Sequence, residues 1–149
     1  ENISPNLYLN LNQLKQMGRY SWKDLYSYKG IIHVPYQNGT MSIFEHYTAN
    51  IPLFFPLKKF AKELFYQNKI FQEITSYKTC NISEPTDDTN PNKLSNEKNL
   101  DMWIDSCDFY DENNMKHIQY FDSYQDLNEK LKNHKLISKL DLNYFINTA

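Results

Sequence analysis

Glycine is nearly absent from this chain: Gly18, Gly30 and Gly39 are the only three in 149 residues. That excludes the glycine-rich phosphate cradles, since neither G-x-G-x-x-G nor a P-loop can be written with them. Cysteine is as scarce. Cys80 and Cys107 stand far apart and H-E-x-x-H does not occur, so no zinc motif is supported and no metal site is expected. Two isolated thiols suit a reducing compartment better than a disulfide framework, and a cytoplasmic location is expected. No excess of one charge exists either, with 16 basic against 18 acidic side chains, so the electrostatic footprint of a nucleic-acid binder is missing. The longest run without a polar side chain, Ile51 to Leu57, spans 7 residues, against the ~20 of a membrane span. The chain opens at Glu1 with neither an initiator Met nor a signal peptide, and so reads as a fragment of a longer protein.

What is present is an apolar fraction of 40% with 15% aromatic residues, enough for a core and for one domain over 1–149. Lysine replaces arginine almost everywhere, Arg19 being the single arginine, and asparagine and tyrosine abound. Such usage reflects an AT-rich coding bias rather than a function.

Local patterning gives an α/β order. Ser21 caps a short helix carrying Asp24 in its first turn, and Gly30 closes it as a left-handed residue. Ile31 to Pro35 is a β-branched run bounded by Gly and Pro, hence a buried strand. From Met41 the spacing is helical, with Met41, Phe44 and Thr48 on one face and Ile43 and Tyr47 beside it. Asn38-Gly39 is also a hairpin signal, but the helical spacing that follows outweighs it. Ile51 to Pro56 reads as a second buried strand. Leu57, Phe60, Ala61, Leu64 and Phe65 then repeat at helix spacing to about residue 74, with Pro56 at the first helical position. Residues 79–99 lack apolar periodicity and carry Pro85 and Pro91, which marks a mobile loop or insertion outside the core. An acidic helix through Asp111, a strand from His117 to Phe121 and a helix capped by Ser123 and Asp126 complete the chain. Asp101, Asp105, Asp108 and Asp111 read as an ordinary acidic helix face, His33 as a packed strand residue and His46 as an exposed one. Strand, helix, strand, helix with short links implies a parallel sheet covered by helices.

The segment Gly30 to Pro56 carries the chemistry. It is a strand, a polar turn and a helix with Thr40 and Ser42 in its first turn and Glu45 one turn further in. Parallel sheets bind ligands at the carboxyl ends of their strands, where this turn lies. A helix start suits phosphate, and a carboxylate a turn further in can accept hydrogen bonds from the two hydroxyls of a ribose.

Val34-Pro35-Tyr36, Thr40-Met41-Ser42, Glu45, Ala49-Asn50-Ile51-Pro52 and Leu53-Phe54-Phe55-Pro56 together resemble the donor-binding half of glycosyltransferases of the GT-B fold. The resemblance covers residues 18–75 well and the rest loosely. It implies a Rossmann-like sheet and a nucleotide-sugar donor. Glu45 would hold the ribose, with Gly39, Thr40, Met41 and Ser42 at the diphosphate. Tyr36, Gln37, Asn38 and Arg19 would lie around it, and the segment from Gly18 to Tyr28 beside the nucleobase. The expected partners are the donor, a glycan or other hydroxyl acceptor, and an N-terminal acceptor domain holding the catalytic base. No cofactor is expected. Retaining members carry an acid where this chain has Gln37, so an inverting reaction fits better. No Asp-x-Asp tripeptide occurs, which argues for metal-independent transfer. The competing class is a non-catalytic nucleotide-binding or interaction module on the same fold.

Overall fold

The computed structural model describes residues 21–35, 41–67, 69–71 and 83–133, together with Gln16, Gly18 and Gly39. Along the chain come α1 (Trp22–Leu25), β1 (Ile31–Ile32), α2 (Ser42–Thr48), β2 (Leu53–Pro56) and α3 (Lys58–Tyr66). After a turn-rich stretch follow α4 (Glu97–Asp105), a 3-10 turn (Asp108–Tyr110), β3 (Gln119–Phe121) and α5 (Tyr124–Lys132). The three strands form one parallel sheet in the order β1-β2-β3, flanked by helices. The α/β class and parallel sheet expected from the patterning are therefore present, and the described chain from Ser42 is helical rather than the second strand of a hairpin.

The sheet is built around β2. Ile31 and Ile32 of β1 pair with Leu53 and Phe54, while Gln119, Tyr120 and Phe121 of β3 pair with Phe54, Phe55 and Pro56. All four residues of β2 are buried, as a strand bonded on both edges and covered on both faces must be. Proline can close such a strand because its missing N–H falls where the ladder passes to the next residue: the Leu57 N–H donates to Phe121 O at 2.7 Å. The Pro56 carbonyl accepts the buried Tyr110 hydroxyl at 2.5 Å. Pro56 is thus the last strand residue and Leu57 the N-cap of α3, whose first helical residue, Lys58, lies two residues after the start expected from the sequence. The helix itself ends at Tyr66 rather than near residue 74. Phe60, Ala61 and Leu64 form its buried stripe, whereas Leu57 is exposed.

Two left-handed residues shape the connections. Asn50 (φ 56°) follows the end of α2, and its short polar side chain tolerates that conformation. His117 (φ 67°) turns the chain into β3, which begins at Gln119 rather than at His117. Gly30, by contrast, is not left-handed, and α1 ends at Leu25. A Cβ at Gly30 would stand 2.9 Å from Phe54 Cε2 and 2.9 Å from Pro52 O. The position is glycine because the chain entering β1 passes against β2.

The acidic helix begins at Glu97, inside the stretch expected to be loop, and stops at Asp105 rather than Asp111. Its acids face α3: Lys62 pairs with Glu97 and with Asp101, each at 2.8 Å, and Lys58 pairs with Asp105 at 2.6 Å. Acids spaced four apart thus meet lysines spaced four apart across two packed helices. Residues 83–96 hold no helix or strand but are tied to α4. The Asn99 amide donates to Asn90 O and to Lys93 O, both at 2.9 Å, and Trp103 Nε1–H donates to Pro91 O. At the last helix the Ser123 side chain accepts from Asp126 N–H, while Asp126 accepts from Asp122 N–H. The cap is there, with its return bond one residue earlier than a capping box has it.

Substituting Gly30→Ala is expected to lower stability by about 1–3 kcal/mol, the usual cost of overpacking. Urea denaturation monitored by circular dichroism measures it. An unchanged midpoint would mean that β1 moves away from β2 without penalty.

Candidate functional site

The carboxyl end of β1 is held from three sides. The His33 N–H continues the ladder to Phe54 O at 2.8 Å. The His33 ring lies 4.8 Å from that of Phe55, which stacks on Phe109 at 4.5 Å. Pro35 is buried, and its carbonyl accepts the Phe71 N–H at 3.0 Å. Phe71 itself is left-handed (φ 53°) and buried, a conformation that costs a bulky residue about 1–2 kcal/mol. The chain following α3 thus returns to brace the end of the first strand.

Of the residues assigned to the diphosphate, Gly39 and Met41 are exposed and Ser42 is half-buried. Met41 is the N-cap of α2, in helical conformation and without a side-chain cap bond. Glu45 is exposed in the first turn, on the helix that connects β1 to β2. Tyr36, Gln37, Asn38, Thr40 and Arg19 lie outside the described residues, as does Cys80. Among the described residues no three metal-ligating side chains cluster. Buried Cys107 is held protonated, with its pKa pushed up to about 12 by burial first and by neighbouring acids second.

Helix α2 turns a different face inward from the one its apolar spacing implies. Ile43 and His46 are buried, while Met41 is 75% and Phe44 41% exposed. His46, expected at the surface, is 7% exposed. What covers it is α1: the Trp22 and Tyr26 rings stack at 5.7 Å and both meet the His46 ring edge-on, at 5.6 and 5.8 Å. The Tyr26 hydroxyl and His46 Nδ1 share a hydrogen bond of 3.2 Å. The available sequence signal was the four-residue spacing of Trp22 and Tyr26, which puts both rings on one side of a helical turn. Burial first, and the Glu45 charge second, raise the Tyr26 pKa. Trp22 and Tyr26 therefore contact the helix that carries Glu45.

Electrostatics single out the two histidines. Burial chiefly, and His46 secondarily, lower the pKa of His33 to about 4, and its buried Nε2 has no hydrogen-bond partner among the described residues. Burial lowers that of His46 as well, with Glu45 opposing in part. Both rings are therefore neutral at pH 7.

No protein-family model matches the chain, and neither a curated protein nor a solved structure is similar enough to match it. No helix of the described residues is long and apolar enough to cross a membrane.

The His33 shift fixes a pH dependence. The unfolded chain binds this proton near pH 6.5 and the folded one only near 4, so stability is full above 6.5 and falls as the pH drops toward 4. The loss approaches about 3 kcal/mol at the lower limit. His33→Leu is expected to shrink the difference between urea midpoints at pH 7 and pH 4.5; an unaltered difference would place the acid sensitivity elsewhere.

Proposed function

We propose that this chain binds the nucleoside diphosphate of a sugar donor, as the donor half of a GT-B-type glycosyltransferase, with inversion as the expected outcome. The observation that carries the reading is the position of Glu45. It is an exposed carboxylate in the first turn of α2, the helix that lies in sequence between two adjacent parallel strands. Among the described residues no cation pairs with it. Ligands of open parallel sheets bind at the carboxyl ends of the strands, and a ribose offers two hydroxyls to such an acceptor. The resemblance of Val34 to Pro56 to the donor-binding segment supplies the class of ligand.

In this reading Gly39, Thr40, Met41 and Ser42 present backbone and hydroxyl groups to the diphosphate, with Tyr36, Gln37, Asn38 and Arg19 around it, and such donors would stabilise the charge that develops on the departing group. Acceptor and base come from a separate N-terminal domain. The chain by itself is then expected to turn over no glycosyl donor beyond slow hydrolysis, because transfer needs both substrates held in reacting geometry.

Glu45→Ala removes a charged acceptor from two hydroxyls. A hydrogen bond to a charged group contributes about 1.5–3 kcal/mol, so affinity should fall roughly ten- to hundredfold. Glu45→Gln should lie between, and the folding midpoint should stay put because the side chain is exposed. Calorimetric titration with UDP, GDP and dTDP measures the two affinities, and urea denaturation the midpoint. Equal affinity in wild type and Glu45→Ala would return Glu45 to an ordinary helix position.

A further inference from the structure

We propose that α1 is a flap closed onto α2 by His46 and released when that imidazole takes a proton. The inference goes beyond nucleotide binding and does not rest on it. It starts from how α1 is attached. The turn is complete in itself: Ser21 and Asp24 form a reciprocal capping box, and Leu25 and Tyr26 N–H groups bond back to Ser21 and Trp22 carbonyls. None of its four residues is buried. A self-capped turn with little of its own surface covered can move as a unit.

Among the described residues its ring contacts converge on His46, while Tyr26, its C-cap, also packs against the edge of the core. Trp22 and Tyr26 both lean on His46, and the Tyr26 hydroxyl bonds its Nδ1. With α1 closed, His46 is nearly cut off from water. A neutral imidazole accepts that burial, whereas an imidazolium loses its hydration there and regains it when α1 lifts away. The groups facing His46 are Glu45 beside it on α2, Tyr26 on α1 and His33 at the end of β1. Asp24, also on α1, is committed to its Ser21 cap. Glu45 favours the cation, but it is exposed and water screens it. His33 stays neutral well below pH 6.5 and supplies no counter-charge. Desolvation therefore decides the sign, and acid opens the flap. Each unit by which closure lowers the His46 pKa weights the closed state against protonation by a factor of about ten.

The test reads Trp22 alone, in the full chain carrying Trp103→Phe, by acrylamide quenching between pH 7 and pH 5. That interval stays above the range in which His33 protonates. Trp22 is 51% exposed when closed, so release should raise the quenching constant by up to about twofold. The rise should disappear in His46→Gln. A flat wild-type profile, or the same rise in His46→Gln, overturns the proposal. Should His46→Gln not fold, Tyr26→Phe decides: it keeps the ring and loses the hydroxyl, and should raise quenching at pH 7 toward the acid value, whereas unchanged quenching overturns the flap. No nucleotide enters the measurement, so its failure leaves the binding proposal standing.

Discussion

Everything in this fold leans on the two-sided pairing of β2. Four residues, each buried, carry the ladder to β1 on one edge and to β3 on the other. A strand so placed must satisfy its backbone through its neighbours, since no water reaches it. Leu53, Phe54 and Phe55 also anchor the core, which extends through Phe109 and Ile104 to α4. The close passage of Gly30 over Phe54 and Pro52 follows from the same crowding.

From that centre the candidate site inherits its rigidity. His33 sits on Phe55 and bonds back to Phe54, and Phe71 reaches round to Pro35. The structure spends conformational strain at Phe71 and a buried imidazole nitrogen at His33 that has no partner among the described residues. Both lie at the carboxyl end of β1, and such costs persist only where the surrounding packing holds them. The periphery is tied differently. The lysines of α3 and the acids of α4 meet across solvent-facing helix surfaces, where screened charges align helices more than they stabilise them.

Much of this was legible in the residues. The strands at Ile31 and Leu53, the caps at Ser21 and Ser123, and the left-handed Asn50 follow from side-chain shape and local hydrogen bonding. These choices are made within a few residues and need no distant partner. Element ends were less legible, because competition settled them. Pro56 could have opened a helix, but its neighbours were claimed first by the ladder to β3.

The inward face of α2 was not legible at all. Met41 and Phe44 are the larger apolar residues, yet Ile43 and His46 point inward. Helical spacing says which residues share a face; the angle at which β1 and β2 hold the helix says which face is covered. The same holds for α1, whose two rings were visible in the sequence and whose contact, His46, was not. The sequence by itself determined a parallel α/β chain with its polar turn after β1 and Glu45 beyond it, since periodicity and capping are local. Only the tertiary structure decided that His46 is buried under Trp22 and Tyr26 and that Phe71 braces Pro35, because these contacts join residues 20 to 36 positions apart that no local rule connects.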